Sequence, residues 1–277
     1  MPRVREAGGV ILPADPRTTV ERDRPRPLPE PVLHVVPDHR RVVIDLRRPE
    51  QLVLAIGEAA PEAPFLMPNE GLVGASRWER AAKRLLDVAI SALAIAVLSP
   101  VLVGAALMVA LSSPGPVFYA SDRVGWRGRR FRFLKFRTMC RDAEAKRREL
   151  DEQNEVPDGV VFKIRHDPRI TRVGRVLRKL SVDELPQLLH VLSGKMSLVG
   201  PRPPLPEEVA AYGAWEAQRL LVKPGLTCIW QVSGRSDLDF RTWVQMDIEY
   251  IRDWSLWLDL KLLLRTIPAV LSGHGAY

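Results

Sequence analysis

Two adjacent carboxylates, Asp183 and Glu184, lie in the run Ser181-Val-Asp-Glu-Leu-Pro-Gln-Leu-Leu-His190, with Arg178 just upstream. A carboxylate held beside an arginine stays ionised and can take a divalent cation or act as a nucleophile. A helix start at this point would add free N–H groups for an anion. The same residues also read as helix punctuation, because Ser181 and Glu184 have the spacing of a capping box and acids are favoured in a first turn. Both readings stand on residue types alone. Neighbours on a helix point about 100° apart, so the two carboxylates cannot do one job on one atom. The shorter Asp183 suits a fixed position, and the longer Glu184 suits proton handling.

Cations gather nearby. From Arg123 to Arg148 there are 11 basic residues and two acidic ones. Within that stretch Phe131-Arg-Phe-Leu-Lys-Phe-Arg-Thr138 alternates apolar and basic residues, a strand pattern with one basic face for which Arg132, Lys135 and Arg137 are the candidates, although Leu134 interrupts strict alternation. Such a face fits anionic lipid headgroups or a diphosphate, and the two uses are compatible. Arg175, Arg178 and Lys179 sit on a helical stretch, and Arg202 is fixed between two prolines in Gly200-Pro-Arg-Pro-Pro204. Lys223-Pro-Gly-Leu-Thr227 reads as a further turn.

These residues need a platform, and the sequence supplies an apolar one. Leu85 to Leu111 carries a single charge, Asp87, and about 20 apolar residues suffice to cross a bilayer. Ser99-Pro100 falls in its middle, where proline removes a helical hydrogen bond. Both flanks are basic: Arg77, Arg80, Lys83 and Arg84 before, Arg123 to Arg132 after. Basic flanks stay cytoplasmic, so a helix bent at Ser99-Pro100 that enters and leaves by one leaflet satisfies both ends. A kinked full span is the competing reading. Near the end of the chain Trp243, Trp254 and Trp257 stand with Lys261 and Arg265 among leucines, a pattern shared by interfacial helices and by ordinary core helices.

The 277 residues divide near Ser76. Residues 1–76 hold 10 Arg and no Lys against 11 acids, and 12 of the 24 prolines; residues 77–277 hold 31 bases against 22 acids. The front section reads as a Pro-rich extension with a strand at Val42–Leu46, a short helix at Pro49–Ala60 and no catalytic constellation. No apolar secretory core follows the first residues. Two cysteines, Cys140 and Cys228, cannot build a disulfide scaffold or a four-thiolate zinc site, which points to a reducing compartment. A net charge of +8 asks for an anionic partner.

Nine ordered blocks from residue 77 onward resemble the bacterial sugar transferase family, the monotopic phosphoglycosyl transferases. They are Lys83-Arg-Leu-Leu-Asp87, Ser112-Ser-Pro-Gly-Pro-Val-Phe-Tyr119, Arg123-Val-Gly125, Lys135-Phe-Arg-Thr-Met139, Asp167-Pro-Arg-Ile-Thr171, Asp183-Glu-Leu-Pro-Gln187, Met196-Ser-Leu-Val-Gly-Pro-Arg-Pro203, Lys223-Pro-Gly-Leu-Thr227 and Gln231-Val-Ser-Gly-Arg235. The resemblance implies a mostly helical α+β catalytic domain over 77–277, attached to the bacterial cytoplasmic membrane on its cytoplasmic face. One re-entrant helix broken at Ser99-Pro100, together with interfacial helices, would hold it there. It implies transfer of a sugar 1-phosphate from a UDP-sugar to undecaprenyl phosphate with release of UMP, in exopolysaccharide, O-antigen or glycoconjugate assembly. By the same resemblance Asp183 is the nucleophile and binds Mg²⁺, and Glu184 assists proton transfer. Arg178, Arg202, Lys135, Arg137, Asp167, Arg169, Gln187 and Gln231 then serve the substrates. Ser121, His190 and Cys228 stand where the family usually has Gln, Asn and Gly. Membrane lipids are expected partners, nucleic acid is not, and a homo-oligomer is compatible with the sequence.

A rival of another class is a membrane-tethered protein that binds nucleic acid or lipid through its basic surface without catalysis. It requires base-stacking aromatics among the cations, for which Trp126, Phe131, Phe133 and Phe136 are the candidates.

Overall fold

The computed structural model describes residues 75–147, 166–234 and 238–273, together with 72, 149–150 and 164. The strand and helix expected at 42–46 and 49–60, and Arg235, lie outside the described residues. The chain opens with α1, Arg77–Ser112, a helix of 36 residues that starts earlier than its apolar run. Ser76 caps it: the Glu79 N–H donates to the Ser76 hydroxyl, and the Ser76 N–H donates to the Glu79 carboxylate at 2.8 Å. Helical structure continues through Ser99-Pro100. Pro100 has no N–H to give to the carbonyl of Ala96, and the Ser99 hydroxyl donates to that oxygen instead, at 2.9 Å.

A hairpin follows. β1, Phe118–Val124, pairs antiparallel with β2, Arg130–Phe136, in a register running from Phe118 opposite Phe136 to Val124 opposite Arg130. The short α2, Ala143–Arg147, precedes α3, Arg172–Lys179. A 3₁₀ turn over Val182–Gln187 runs into α4, Leu188–Leu192. β3, Ser197–Val199, pairs in parallel with β4, Gly225–Thr227. Between them lie α5, Pro206–Ala210, and α6, Ala214–Ala217; after them come α7, Ile229–Ser233, α8, Phe240–Arg252, and α9, Leu256–Ser272. The fold is α+β and mostly helical, with one long apolar helix compatible with membrane association.

The main core joins β3, α4, α7 and α8 around Val191, Met196, Trp230, Val244 and Tyr250. Trp243 stacks on Trp230 at 4.5 Å between ring centroids. Of the three C-terminal tryptophans, Trp243 and Trp254 are therefore core residues and Trp257 alone is exposed. A second, smaller core seats Ala105 and Val109 of α1 on Phe136 of β2 and Leu177 of α3.

Polar contacts fix α1 to the domain near its start. Lys83 pairs with Asp259 of α9, whose other oxygen accepts from the Tyr250 hydroxyl at 2.8 Å. Asp87 accepts from the backbone N–H of Leu198 in β3 at 3.1 Å. Arg84 donates to the carbonyls of Val191 and Leu192 at 2.6 and 2.8 Å, occupying acceptors that the end of α4 leaves open. Both members of the Lys83–Asp259 pair are buried, so removing one leaves the other charge stranded. Lys83→Met is expected to cost about 3–5 kcal/mol of stability, while Lys83→Met combined with Asp259→Leu recovers most of it. Thermal unfolding in detergent checks both, and an unshifted Tm for the single variant contradicts the assignment.

Candidate active site

The site is assembled from four segments. β2 presents Lys135, and its continuation, Thr138, binds α3: the Thr171 N–H donates to the Thr138 carbonyl at 3.0 Å. Gly174 permits this approach, because a Cβ there would stand 2.0 Å from that carbonyl oxygen. One turn on, the Arg178 Nε donates to the Thr138 hydroxyl at 2.9 Å, which aims the guanidinium inward.

The carboxylate pair lies on the 3₁₀ turn, not on a capped α-helix. Ser181 adopts a left-handed conformation, φ 54°, and makes no side-chain cap. Pro186 has no N–H to close an α-helical turn on the Val182 carbonyl, in keeping with the 3₁₀ form of this segment. The capping-box reading of Ser181 and Glu184 is thereby corrected. The reversal at Ser181 carries the chain from the end of α3 into a turn that buries Asp183, at 5% exposure, and leaves Glu184 more open.

Arg202 comes from the loop after β3. The Arg123 guanidinium donates to the Pro203 carbonyl at 3.1 Å, and the Arg219 guanidinium reaches the Arg202 carbonyl at 3.5 Å. The Arg202 side chain donates to Glu184 at 3.2 Å. Arg219 is itself buried, bonded to Asp247 at 2.7 Å and to the Tyr212 hydroxyl at 2.8 Å.

Together these segments line a cavity of about 520 Å³. The structure brings Lys135, Asp167, Arg169, Arg178, Asp183, Glu184, Arg202 and Gln231 to its wall. Arg169 reaches it already paired with Asp167, through contacts of 2.6–3.1 Å. Gln231 accepts from the Cys228 thiol at 3.1 Å, so the cysteine packs beneath the wall. Two expected members are elsewhere. Arg137 donates to the carbonyls of Val109, Ser113 and Pro114 and to the Ser113 hydroxyl, and so holds the end of α1. The Arg137 backbone N–H still donates to the Val117 carbonyl at 2.9 Å, one step beyond the Phe118–Phe136 pair, and the acceptors at the end of α1 hold the guanidinium there. Gln187 is buried at 2% in the interior behind the 3₁₀ turn. Sequence reasoning missed Arg219 and gave Arg123 only a flanking role. Arg219 and Asp247 are 28 residues apart, and nothing in either one's neighbourhood signals a pair.

The electrostatics of the cavity oppose burial to charge. Burial, then the neighbouring Glu184, push the Asp183 carboxyl up from 3.8 to about 6, against the pull of Lys135, Arg178 and Arg202. Burial and the like charge of Arg178 bring Lys135 down to about 8. Burial also lowers Arg178, while Glu184 raises Arg202. Because the folded value for Asp183 lies above the unfolded one, the folded protein binds a proton that the unfolded chain releases. This contribution to stability is lost as pH rises from 3.8 to about 6. Among the described residues no three His, Cys, Asp or Glu side chains form a metal cluster. Mg²⁺ needs no such cluster, since one or two carboxylates and substrate phosphates commonly hold it. Asp183, with Glu184 beside it, fits that donor set.

A long apolar helix is thus joined to a cation-lined cavity that holds a buried carboxylate. The chain matches the bacterial sugar transferase family model over residues 78–273 and belongs to that family. It is 42% identical to the exopolysaccharide production protein ExoY of Rhizobium meliloti, over 78% of this chain and 96% of that protein. It is 45% identical to the UDP-glucose:undecaprenyl-phosphate glucose-1-phosphate transferase of Caulobacter vibrioides, over 70% of this chain and 72% of that one. Its 48% identity to the galactosyl transferase CpsE of Streptococcus agalactiae covers 58% of this chain and only 36% of that longer protein.

Chemistry that uses an ionised Asp183 and a charged Lys135 is expected to rise with pH through about 6 and to fall through about 8. Lys135→Arg should move the alkaline limb upward and leave the acid limb in place, because arginine does not deprotonate in this range. A kcat/KM profile measured from pH 5 to 9.5 checks this; an alkaline limb unmoved in the variant contradicts it.

Proposed function

We propose that this bacterial sugar transferase is a phosphoglycosyl transferase that moves a sugar 1-phosphate from a UDP-sugar to undecaprenyl phosphate in two steps at Asp183. The observation that carries this reading is the buried Asp183 carboxyl facing Lys135, Arg178 and Arg202 in one cavity. In the first step a carboxylate oxygen of Asp183 attacks the phosphorus that bears the sugar. The bond from that phosphorus to the bridging oxygen breaks, and UMP leaves with the electron pair. In the second step an oxygen of the lipid phosphate attacks the same phosphorus and restores the carboxylate. Glu184, one residue on and more exposed, handles the proton of the incoming lipid phosphate. Phosphoryl transfer asks mainly for charge neutralisation and alignment, and the arginines and Lys135 supply the first. Mg²⁺, held by Asp183 with substrate phosphate, would add charge neutralisation at the diphosphate.

A re-entrant placement of α1 is part of this proposal. Asp87 and Ser91 near its start, and Ala105 and Val109 near its end, are all buried against the same folded unit. A helix with both ends on one domain keeps both ends on that domain's side of the bilayer. The Ser99-Pro100 step supplies the place to bend. The exposed stripe of α9, Trp257, Leu260, Leu264, Ile267 and Leu271, supports an interfacial position for that helix, on the cytoplasmic face where the basic flanks belong. The rival built on base stacking is poorly supported. Phe133 and Phe136 are buried, Phe131 packs edge-on to Phe133 and His190, and the Trp126 N–H is bonded to the Leu221 carbonyl.

A burst of UMP, at most one per enzyme, is expected from a UDP-sugar and Mg²⁺ before any lipid phosphate is added. Asp183→Asn should abolish both burst and turnover, and Glu184→Gln should slow turnover about 10²–10⁴-fold. Chelation of divalent ions should stop the reaction, and added Mg²⁺ should restore it. Mass spectrometry of a trapped phosphosugar adduct at Asp183 tests the intermediate directly. A fully active Asp183→Asn protein would falsify the two-step reading.

Cysteines placed at positions 76 and 116 are expected to resist a membrane-impermeant thiol reagent applied to intact cells and to react once the cells are opened. Labelling of either from outside contradicts the re-entrant placement.

A further inference from the structure

A second cavity, of about 250 Å³, lies between α1 and α9, over β3. Its sides are Leu86 and Ile90 of α1 and Trp257 and Leu260 of α9. Leu86, Trp257 and Leu260 are exposed at its rim, on the surface that continues into the apolar faces of both helices. The charged residues at its floor are already engaged: Lys83 with Asp259, and Asp87 with the Leu198 N–H. The groove therefore offers hydrocarbon and no free charge.

Its inner wall is shared. Leu198 and Leu263 line this groove and also line the cation-rich cavity that holds Asp183. Two leucine side chains thus separate an apolar slot that opens onto the exposed apolar faces of α1 and α9 from the cation-lined chamber. An amphiphile with a phosphate head and a hydrocarbon chain matches that pair of compartments, head in one and chain in the other. A free nucleotide sugar has nothing to place in the outer one. We propose that the groove between α1 and α9 holds the first isoprene units of the lipid phosphate acceptor and guides its phosphate past Leu198 and Leu263 to Asp183. This rests on the acceptor named under the proposed function. It assigns the acceptor a route of its own, separate from the polar wall that receives the donor.

The test uses the full-length protein in nanodiscs and a polyprenyl phosphate that carries a diazirine in the isoprene units nearest the phosphate. Irradiation is expected to label peptides of α1 around Ile90 or of α9 around Leu260. Unlabelled undecaprenyl phosphate should compete, and an excess of phosphatidylglycerol should not. Labelling elsewhere overturns the proposal. So does equal competition by phosphatidylglycerol, which would mean that a bilayer acyl chain fills the groove. Ile90→Trp and Leu260→Trp, compared at equal donor-only UMP burst so that only folded enzyme is scored, are expected to raise the KM for undecaprenyl phosphate about tenfold. The KM for a two-isoprene phosphate should change less than about twofold, because a short chain forfeits little of the groove. Equal KM values in variant and parent for the long chain also overturn the proposal. Labelling needs no turnover, so an enzyme that binds the probe in the groove yet releases no UMP from any UDP-sugar would fail the reaction reading and leave the groove assignment standing.

Discussion

A carboxyl taken out of water and set among cations is the constraint around which this domain is organised. Burial of Asp183 is unfavourable for its charged form, and the neighbouring lysine and arginines only partly offset it. Each surrounding element contributes to that balance. The left-handed turn at Ser181 precedes the buried carboxyl, α3 is pressed on Thr138 where Arg178 is bonded, and the backbone of the Pro-Arg-Pro loop is held at two carbonyls while the Arg202 side chain bonds to Glu184. Arg219, Asp247 and Tyr212 form a buried support beneath that loop. Preorganised charge of this kind stabilises a transition state without reorganising when the reaction occurs.

The attachment to α1 follows a different physics at each end. Near the start, charged and polar side chains of the helix are inserted into the domain and satisfied there: Lys83, Arg84 and Asp87 each find a partner more than a hundred residues away. Near the end the helix contributes small apolar surfaces, Ala105 and Val109, and the domain supplies the polar group, Arg137, which collects open carbonyls. An apolar helix that gains nothing from burial in lipid-like surroundings is thereby given directional reasons to lie in one orientation on the domain.

Much of this was legible in the sequence. The apolar run, a strand pattern over Phe131–Thr138 that the structure places at Arg130–Phe136, and the helical stretch carrying Arg178 follow from local patterns, whereas a shared site for Asp183, Glu184 and Arg202 is implied by the family resemblance. What escaped did so for local or non-local reasons. Ser181 takes a left-handed conformation and its side chain caps nothing, which its spacing to Glu184 does not record. Open acceptors at the end of α1 hold Arg137 away from the cavity, partners that strand alternation does not record. Lys83–Asp259 and Arg219–Asp247 depend on tertiary contact between distant segments, which no periodicity records. The groove and its shared leucine wall are likewise products of packing, since Leu198 and Leu263 look like any other core leucines in sequence.

Lys135 and Arg137 are two residues apart, yet one faces the phosphate chamber and the other grips the far end of α1. The short segment through Phe136 is therefore a mechanical link. A displacement of that helix end relative to the domain would reach, within two residues, the ammonium group that lines the same cavity as Asp183. The seat of the long helix and the wall of the cavity thus share one short stretch of backbone.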